Sequence, residues 1–112
     1  KDKSLLGVAE TLYDLELYDQ AAKFAGMAFE QTITELCVHM DLYKKYAKQK
    51  KGRQFPSLDE MISLLKSKDL QIPHLSYVKE LRNEAIHNYK RPFKQEEVKT
   101  MIDTTKNIES KL

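Results

Sequence analysis

The sequence has little of what builds tight turns, disulfides or cysteine-based metal sites. Its 112 residues include three glycines, three prolines, one cysteine and no tryptophan. So few turn formers argue against a small all-β domain, which needs many tight turns. A single cysteine, Cys37, excludes an intrachain disulfide and a zinc site built from cysteines. We therefore expect a reducing, cytoplasmic setting with Cys37 buried and inert.

Long apolar runs and a large charge of one sign are lacking as well. No run approaches the ~20 apolar residues that cross a bilayer, and no signal-peptide core is present, so we expect no membrane partner. The 19 basic and 17 acidic side chains leave a formal charge of +2, which is too small to indicate a nucleic-acid partner by itself. The chain begins Lys1-Asp2-Lys3, as expected of a trimmed chain or of one domain of a longer protein.

The residues that are present favour a single helical domain. Hydrophobic residues make up 41% of the chain and charged residues 32%, a composition that disfavours disorder. Leucine and lysine, both good helix formers, are abundant. A chain of this length buries about two-thirds of its unfolded surface, so residues 1–112 suit one domain with a real core.

Apolar residues recur at helical spacing in five segments, which predicts an all-α antiparallel bundle of four to five helices. The longest helix is expected from about residue 20 to 48, with Asp19 as its N-cap and with small residues near its start that let another helix approach closely. The apolar stripes are Leu5, Val8, Leu12 and Leu15; Ala22, Gly26, Phe29, Ile33, Leu36, Met40, Tyr43 and Ala47; Leu58, Met61, Ile62 and Leu65; Leu75, Val78, Leu81, Ala85 and Ile86; and Val98, Met101, Thr105, Ile108 and Leu112.

Two helix starts are marked by local polar residues. Ser57 followed by Glu60 three residues later is a capping box for the short helix. Glu96 and Glu97 suit the first turn of the last helix, where the helix dipole favours acidic side chains.

The fourth helix carries the side chains with the clearest chemical potential, Arg82, Asn83 and His87. Asn83 and His87 are four residues apart and share a face, while Arg82 is roughly 140° from His87 on an ideal helix. An arginine offers a planar charge that matches phosphate, and a histidine can transfer a proton near neutral pH. The set suits cleavage of RNA without a metal or a cofactor. Because one histidine cannot easily perform both proton transfers, we expect a homodimer that places two copies of the set in one cleft.

The sequence Arg82 to Tyr89, with His87 five residues after the arginine, resembles the signature of HEPN domains, which are all-α bundles. Residues 19–25 with Glu30 are similar to the family's second-helix pattern, and residues 95–98 to the opening of its last helix. Many HEPN domains are dimeric, metal-independent endoribonucleases. The resemblance implies that Arg82 and His87 are catalytic and that Asn83 supports them.

The tyrosine two residues after the histidine resembles the form found in HEPN toxins. Those toxins are paired with a nucleotidyltransferase antitoxin, which modifies this tyrosine. The resemblance therefore implies a modification site at Tyr89 and an antitoxin partner, with packing of Tyr89 on the end of the bundle as the alternative. Glu84 receives no role from the resemblance.

A basic segment overlaps the end of the longest apolar stripe and is a second candidate for contact with RNA. It has six positive charges and no acid, and Tyr43, Tyr46 and Phe55 flank it as candidates for stacking on bases. The alternative is a solvated helix end. The six residues are Lys44, Lys45, Lys48, Lys50, Lys51 and Arg53.

Two other functional classes remain open for the chain. A non-catalytic HEPN module would dimerise or bind nucleotide within a larger protein, and a generic helical domain would only bind proteins. In the generic helical domain Arg82 and His87 would be a surface ion-binding pair or helix-end cations. His39 and His74 stand alone in the sequence and are expected to be surface or capping residues, so no metal site is predicted.

Overall fold

The computed structural model of the chain describes residues 4–42, 56–87 and 91–112. Over these residues the chain forms five α-helices and no strand, which confirms the predicted all-helical class. The helices are α1 (Leu5–Asp14), α2 (Tyr18–His39), α3 (Leu58–Lys66), α4 (Leu75–His87) and α5 (Gln95–Glu109).

Helix α2 is the central element of the bundle, because it packs against each of the other four described helices. The predicted apolar stripe forms its buried side, where Phe29 and Ile33 are fully buried and Leu36 is nearly so. Because the helix is surrounded by four others, its longest stripe consists of apolar residues, from small alanines to a large phenylalanine. The last two members of the stripe, Tyr43 and Ala47, lie outside the described residues.

The helix starts follow local rules that the sequence shows. Ser4 caps α1 by accepting a hydrogen bond from the N–H of Gly7 at 3.0 Å. At α3, the Ser57 hydroxyl accepts from the N–H of Glu60 at 3.2 Å, and the Glu60 carboxylate accepts from the N–H of Ser57 at 3.1 Å. This confirms the predicted capping box, an arrangement in which the cap residue alone typically contributes about 1 kcal/mol.

The last helix also follows its predicted pattern, except at the end of the chain. Glu96 and Glu97 occupy the first turn of α5, and the stripe from Val98 to Ile108 is buried. Leu112 lies beyond the helix and is 45% exposed, so its place in the stripe was predicted wrongly.

Two predicted boundaries of the longest helix are also wrong. Helix α2 ends at His39 rather than near residue 48, because Asp41 adopts a left-handed conformation with φ 59° just after it. Asp19 is not the N-cap, because α2 begins at Tyr18 and Leu17 holds the cap position. The Asp19 carboxylate instead accepts a hydrogen bond from the N–H of Phe93 at 2.8 Å, a contact between distant parts of the chain.

The predicted apolar stripe of the first helix extends one residue beyond the end of the helix. Leu15 follows the last residue of α1 and is 63% exposed, while Leu6 and Ala9 provide the buried side of that helix. None of the helices in the described part of the chain is both long enough and apolar enough to span a membrane.

Candidate active site

Arg82 lies in α4 with its aliphatic stem directly against the backbone of α2. A Cβ atom at Gly26 would lie 2.9 Å from Arg82 Cγ and 3.3 Å from Arg82 Cβ, both closer than side chains normally pack. The two helices can approach to this distance because Gly26 has no side chain. Gly26, one of the small residues predicted to allow a close helix approach, thus has that role at this interface.

The guanidinium of Arg82 is held by two acceptors. Its Nη2 donates to Glu30 Oε2 at 2.8 Å, and its Nη1 donates to Asn83 Oδ1 at 2.8 Å. The Arg82 side chain is 17% exposed, against 43% for Glu30. Contacts with one charged and one neutral acceptor fix the plane of the guanidinium.

One buried nitrogen of Arg82, Nε, lacks a hydrogen-bond partner among the described residues. A buried donor in this state typically costs about 1–3 kcal/mol, so the position of this side chain is not explained by folding stability alone. Nη1 and Nη2 each carry a second N–H in addition to the one that binds Asn83 or Glu30.

His87 is the last residue of α4 and its side chain is exposed. Around an ideal helix Asn83 falls between Arg82 and His87, so the two side chains flank the strip that contains Asn83. Arg82 faces α2 and His87 faces solvent. The structure thus places the three predicted residues on one helix, with a fixed cation and an exposed imidazole on either side of Asn83.

Arg91, which lies just beyond α4, has no role predicted from the sequence. Arg91 pairs with Glu84 and makes two hydrogen bonds to Glu97, from Nη2 to Oε2 at 2.6 Å and from Nη1 to Oε1 at 3.0 Å. These contacts raise the pKa of Arg91, with the hydrogen bond to Glu97 as the main cause. The same hydrogen bond is the main reason that the pKa of Glu97 is lowered.

Glu30 also lines an open groove of about 730 Å³ between α1, α2 and α3. Met27, Met61 and Glu35 line the same groove. Two carboxylates would repel a phosphate, so the groove is not suited to the RNA backbone. The side of α4 that carries His87 is the better candidate for contact with phosphate.

The remaining predicted residues divide into three sets. His39 and His74 are exposed, as expected of surface histidines. Cys37 is buried, and burial raises the pKa of its thiol to about 11. Tyr89 and the basic segment from Lys44 to Arg53 lie outside the described residues.

No group of three or more His, Cys, Asp or Glu side chains in residues 4–42, 56–87 and 91–112 is arranged to hold a metal ion. Comparison of the chain with models of protein families, with curated proteins and with solved structures gives no match.

Proposed function

We propose that the chain is a HEPN-type endoribonuclease that cleaves RNA by attack of the ribose 2′-hydroxyl, without a metal, at a site shared by two copies. The observation that carries this proposal is the fixed guanidinium of Arg82, held by Glu30 and Asn83 on the helix that ends in the exposed His87. A preorganised cation beside an exposed proton-transfer group is what phosphate transesterification requires.

The reaction needs two proton transfers and one change of bonds at phosphorus. His87 of one copy accepts the proton of the 2′-hydroxyl, and the 2′-oxygen forms a bond to phosphorus. The bond from phosphorus to the 5′-oxygen breaks, and His87 of the second copy donates a proton to that oxygen. The products are a 2′,3′-cyclic phosphate and a 5′-hydroxyl, and the charge that develops on the phosphate is stabilised by Arg82 through its remaining N–H groups.

The homodimer is part of the proposal, because one copy supplies only one His87. A two-fold axis near α4 would place two Arg82 and two His87 side chains in one cleft. The basic segment from Lys44 to Arg53 is proposed to contact the RNA backbone beside this cleft. A nucleotidyltransferase antitoxin that modifies Tyr89 is the partner that the toxin form of the motif implies.

Product analysis tests the proposed reaction. RNA incubated with the protein in EDTA should yield fragments that end in a 2′,3′-cyclic phosphate, as measured by mass spectrometry. Light scattering at micromolar concentration should give twice the chain mass of 13.1 kDa. Fragments with a 3′-hydroxyl and a 5′-phosphate, or cleavage that EDTA abolishes, would contradict the mechanism. Cleavage by a strict monomer would contradict the shared site.

A second candidate function is favoured by the same ion pair. Arg82 is mostly covered and already pairs with Glu30, as expected of a cation that joins two helices. The chain would then be a non-catalytic module that dimerises or binds nucleotide within a larger protein. Bound nucleotide with no RNA cleavage, together with a marked loss of stability in Arg82→Ala, would favour this candidate over the endoribonuclease.

A further inference from the structure

Arg91 connects the two helices that flank the end of the proposed site. It pairs with Glu84 on α4 and with Glu97 on α5, and its guanidinium carbon lies 4.3 Å from the centre of the Phe93 ring. The side chain of Arg91 is 24% exposed, that of Glu97 is 15% exposed and that of Glu84 is 44% exposed. Charge pairs that are partly shielded from water and share one planar cation are stronger than ordinary surface pairs.

The chain that follows Arg91 is itself anchored. The N–H of Phe93 donates to Asp19 on α2 at 2.8 Å, and the N–H of Lys94 donates to the Glu97 carboxylate at 2.9 Å. Arg91 is therefore attached to a fixed stretch of backbone rather than to a free loop. Through this backbone, the contact of Arg91 with α4 is connected to both α2 and α5.

Glu84 lies one helical turn before His87, so the two residues are neighbours on α4. The contact from Arg91 to Glu84 restrains the turn that carries His87. Arg82 does not depend on this contact, because Glu30 and Asn83 hold it separately.

We propose that Arg91 is a positioning residue: by clamping Glu84 to Glu97 it fixes the last turn of α4 and so holds His87 in place. This inference rests on the proposed function for its effect on catalysis, but its structural part stands apart from it. Arg91 is not a phosphate ligand, because its guanidinium is occupied by two carboxylates and by the carbonyl oxygen of Pro92 at 2.9 Å.

Amide hydrogen exchange tests the structural part without any need for cleavage. In Arg91→Ala, the amides of Ala85, Ile86 and His87 should exchange about tenfold faster. The last turn of α4 would open more often, because the contact that holds it closed has been removed. The amides of Phe29 and Ile33 in the core should not change. Unchanged exchange in the last turn of α4, or an equal acceleration in the core, would overturn the inference.

Lys79→Ala is the matched control for this experiment. Lys79 lies on the same helix, is also 24% exposed, and pairs with Asp59 of α3 at 2.6 Å, far from His87. Its removal should leave exchange at Ala85 to His87 unchanged. If Lys79→Ala accelerates amide exchange at these residues as much as Arg91→Ala does, loss of any ion pair on α4 would be enough to loosen its last turn. That result would overturn the specific role of Arg91.

Kinetics test the functional part. Arg91→Ala should lower kcat for RNA cleavage about tenfold with KM unchanged, because the misplaced group is the one that transfers protons. Arg91→Lys should give an intermediate kcat, since a point charge cannot span both carboxylates. A raised KM, with a shallower dependence of RNA affinity on salt, would identify Arg91 as a phosphate ligand and overturn the inference. If the wild-type protein does not cleave RNA, the proposed function fails while the exchange data still decide the clamp.

Discussion

Gly26 and Arg82 are in direct contact across the interface of α2 and α4, where the absence of a side chain at Gly26 makes room for the stem of Arg82. A Cβ atom at position 26 would lie 2.9 Å from Arg82 Cγ. Arg82 cannot move away freely, because its guanidinium is bound to Glu30 and Asn83. The glycine and the arginine are therefore expected to be coupled energetically.

The first prediction concerns this coupling. Gly26→Ala should destabilise the protein by about 1 kcal/mol, because overpacking of roughly 1–3 kcal/mol exceeds the gain in helix propensity. In an Arg82→Ala background the same change should be less destabilising, because Cγ is gone and the propensity gain opposes only the remaining 3.3 Å contact with Cβ. A double-mutant cycle of urea unfolding measures the difference. Equal effects in the two backgrounds would show that the contact does not constrain Arg82.

The second prediction concerns acid stability and the contact of Glu97 with Arg91. The pKa of Glu97 is lowered from an ordinary value of 4.5, mainly by the hydrogen bond from Arg91 and further by the N–H of Lys94. A carboxyl whose pKa is lower in the folded state stabilises the protein at pH values above the unfolded pKa, and this contribution is lost as the pH falls through the folded pKa. Glu97→Gln should thus be less stable than the wild type at pH 7, and the difference should shrink below about pH 4.5.

Urea unfolding at pH 7, 5, 4 and 3 measures this difference. Glu109→Gln is a suitable control, because Glu109 is an exposed residue at the other end of α5. A difference between wild type and Glu97→Gln that stays constant from pH 7 to pH 3 would contradict the charged contact between Glu97 and Arg91.

The third prediction concerns Cys37. Its Sγ lies 3.9 Å from the carbonyl oxygen of Met61 in the core, and burial raises the pKa of the thiol to about 11. Since the thiolate is the reactive form, a thiol reagent should label the native protein only as fast as the protein unfolds. Labelling measured across a urea series should therefore follow the unfolded fraction. Rapid labelling in the absence of urea would contradict the burial of Cys37.

Features that depend on nearby residues could be predicted from the sequence. The capping box of Ser57 and Glu60 joins residues three apart, and the buried face of α2 follows from the spacing of Phe29, Ile33 and Leu36. Such patterns are set by the geometry of a single helix.

Features that depend on tertiary contacts could not be predicted in this way. Asp19 has the local signature of an N-cap, yet its carboxylate binds the N–H of Phe93, 74 positions later. The pairing of Arg82 with Glu30 joins residues 52 positions apart. The end of α2 at His39 is set by the left-handed backbone of Asp41, which periodicity does not show. Each contact becomes visible only when the helices are packed.

The central claim is that His87 transfers protons in RNA cleavage, and the exposed histidines of the chain provide matched controls for it. Cleavage by His87→Ala should be compared with that by His39→Ala and His74→Ala, since all three side chains are exposed and none should be needed for folding. Circular dichroism and urea unfolding should show that the three variants remain folded.

The most direct measurement is the rate of appearance of 2′,3′-cyclic phosphate ends with each of these variants in EDTA. The account predicts that His87→Ala loses activity by ~100- to 10,000-fold, the range typical of a general acid–base group, while His39→Ala and His74→Ala retain wild-type rates. Wild-type activity in His87→Ala, with the fold intact, would contradict the account.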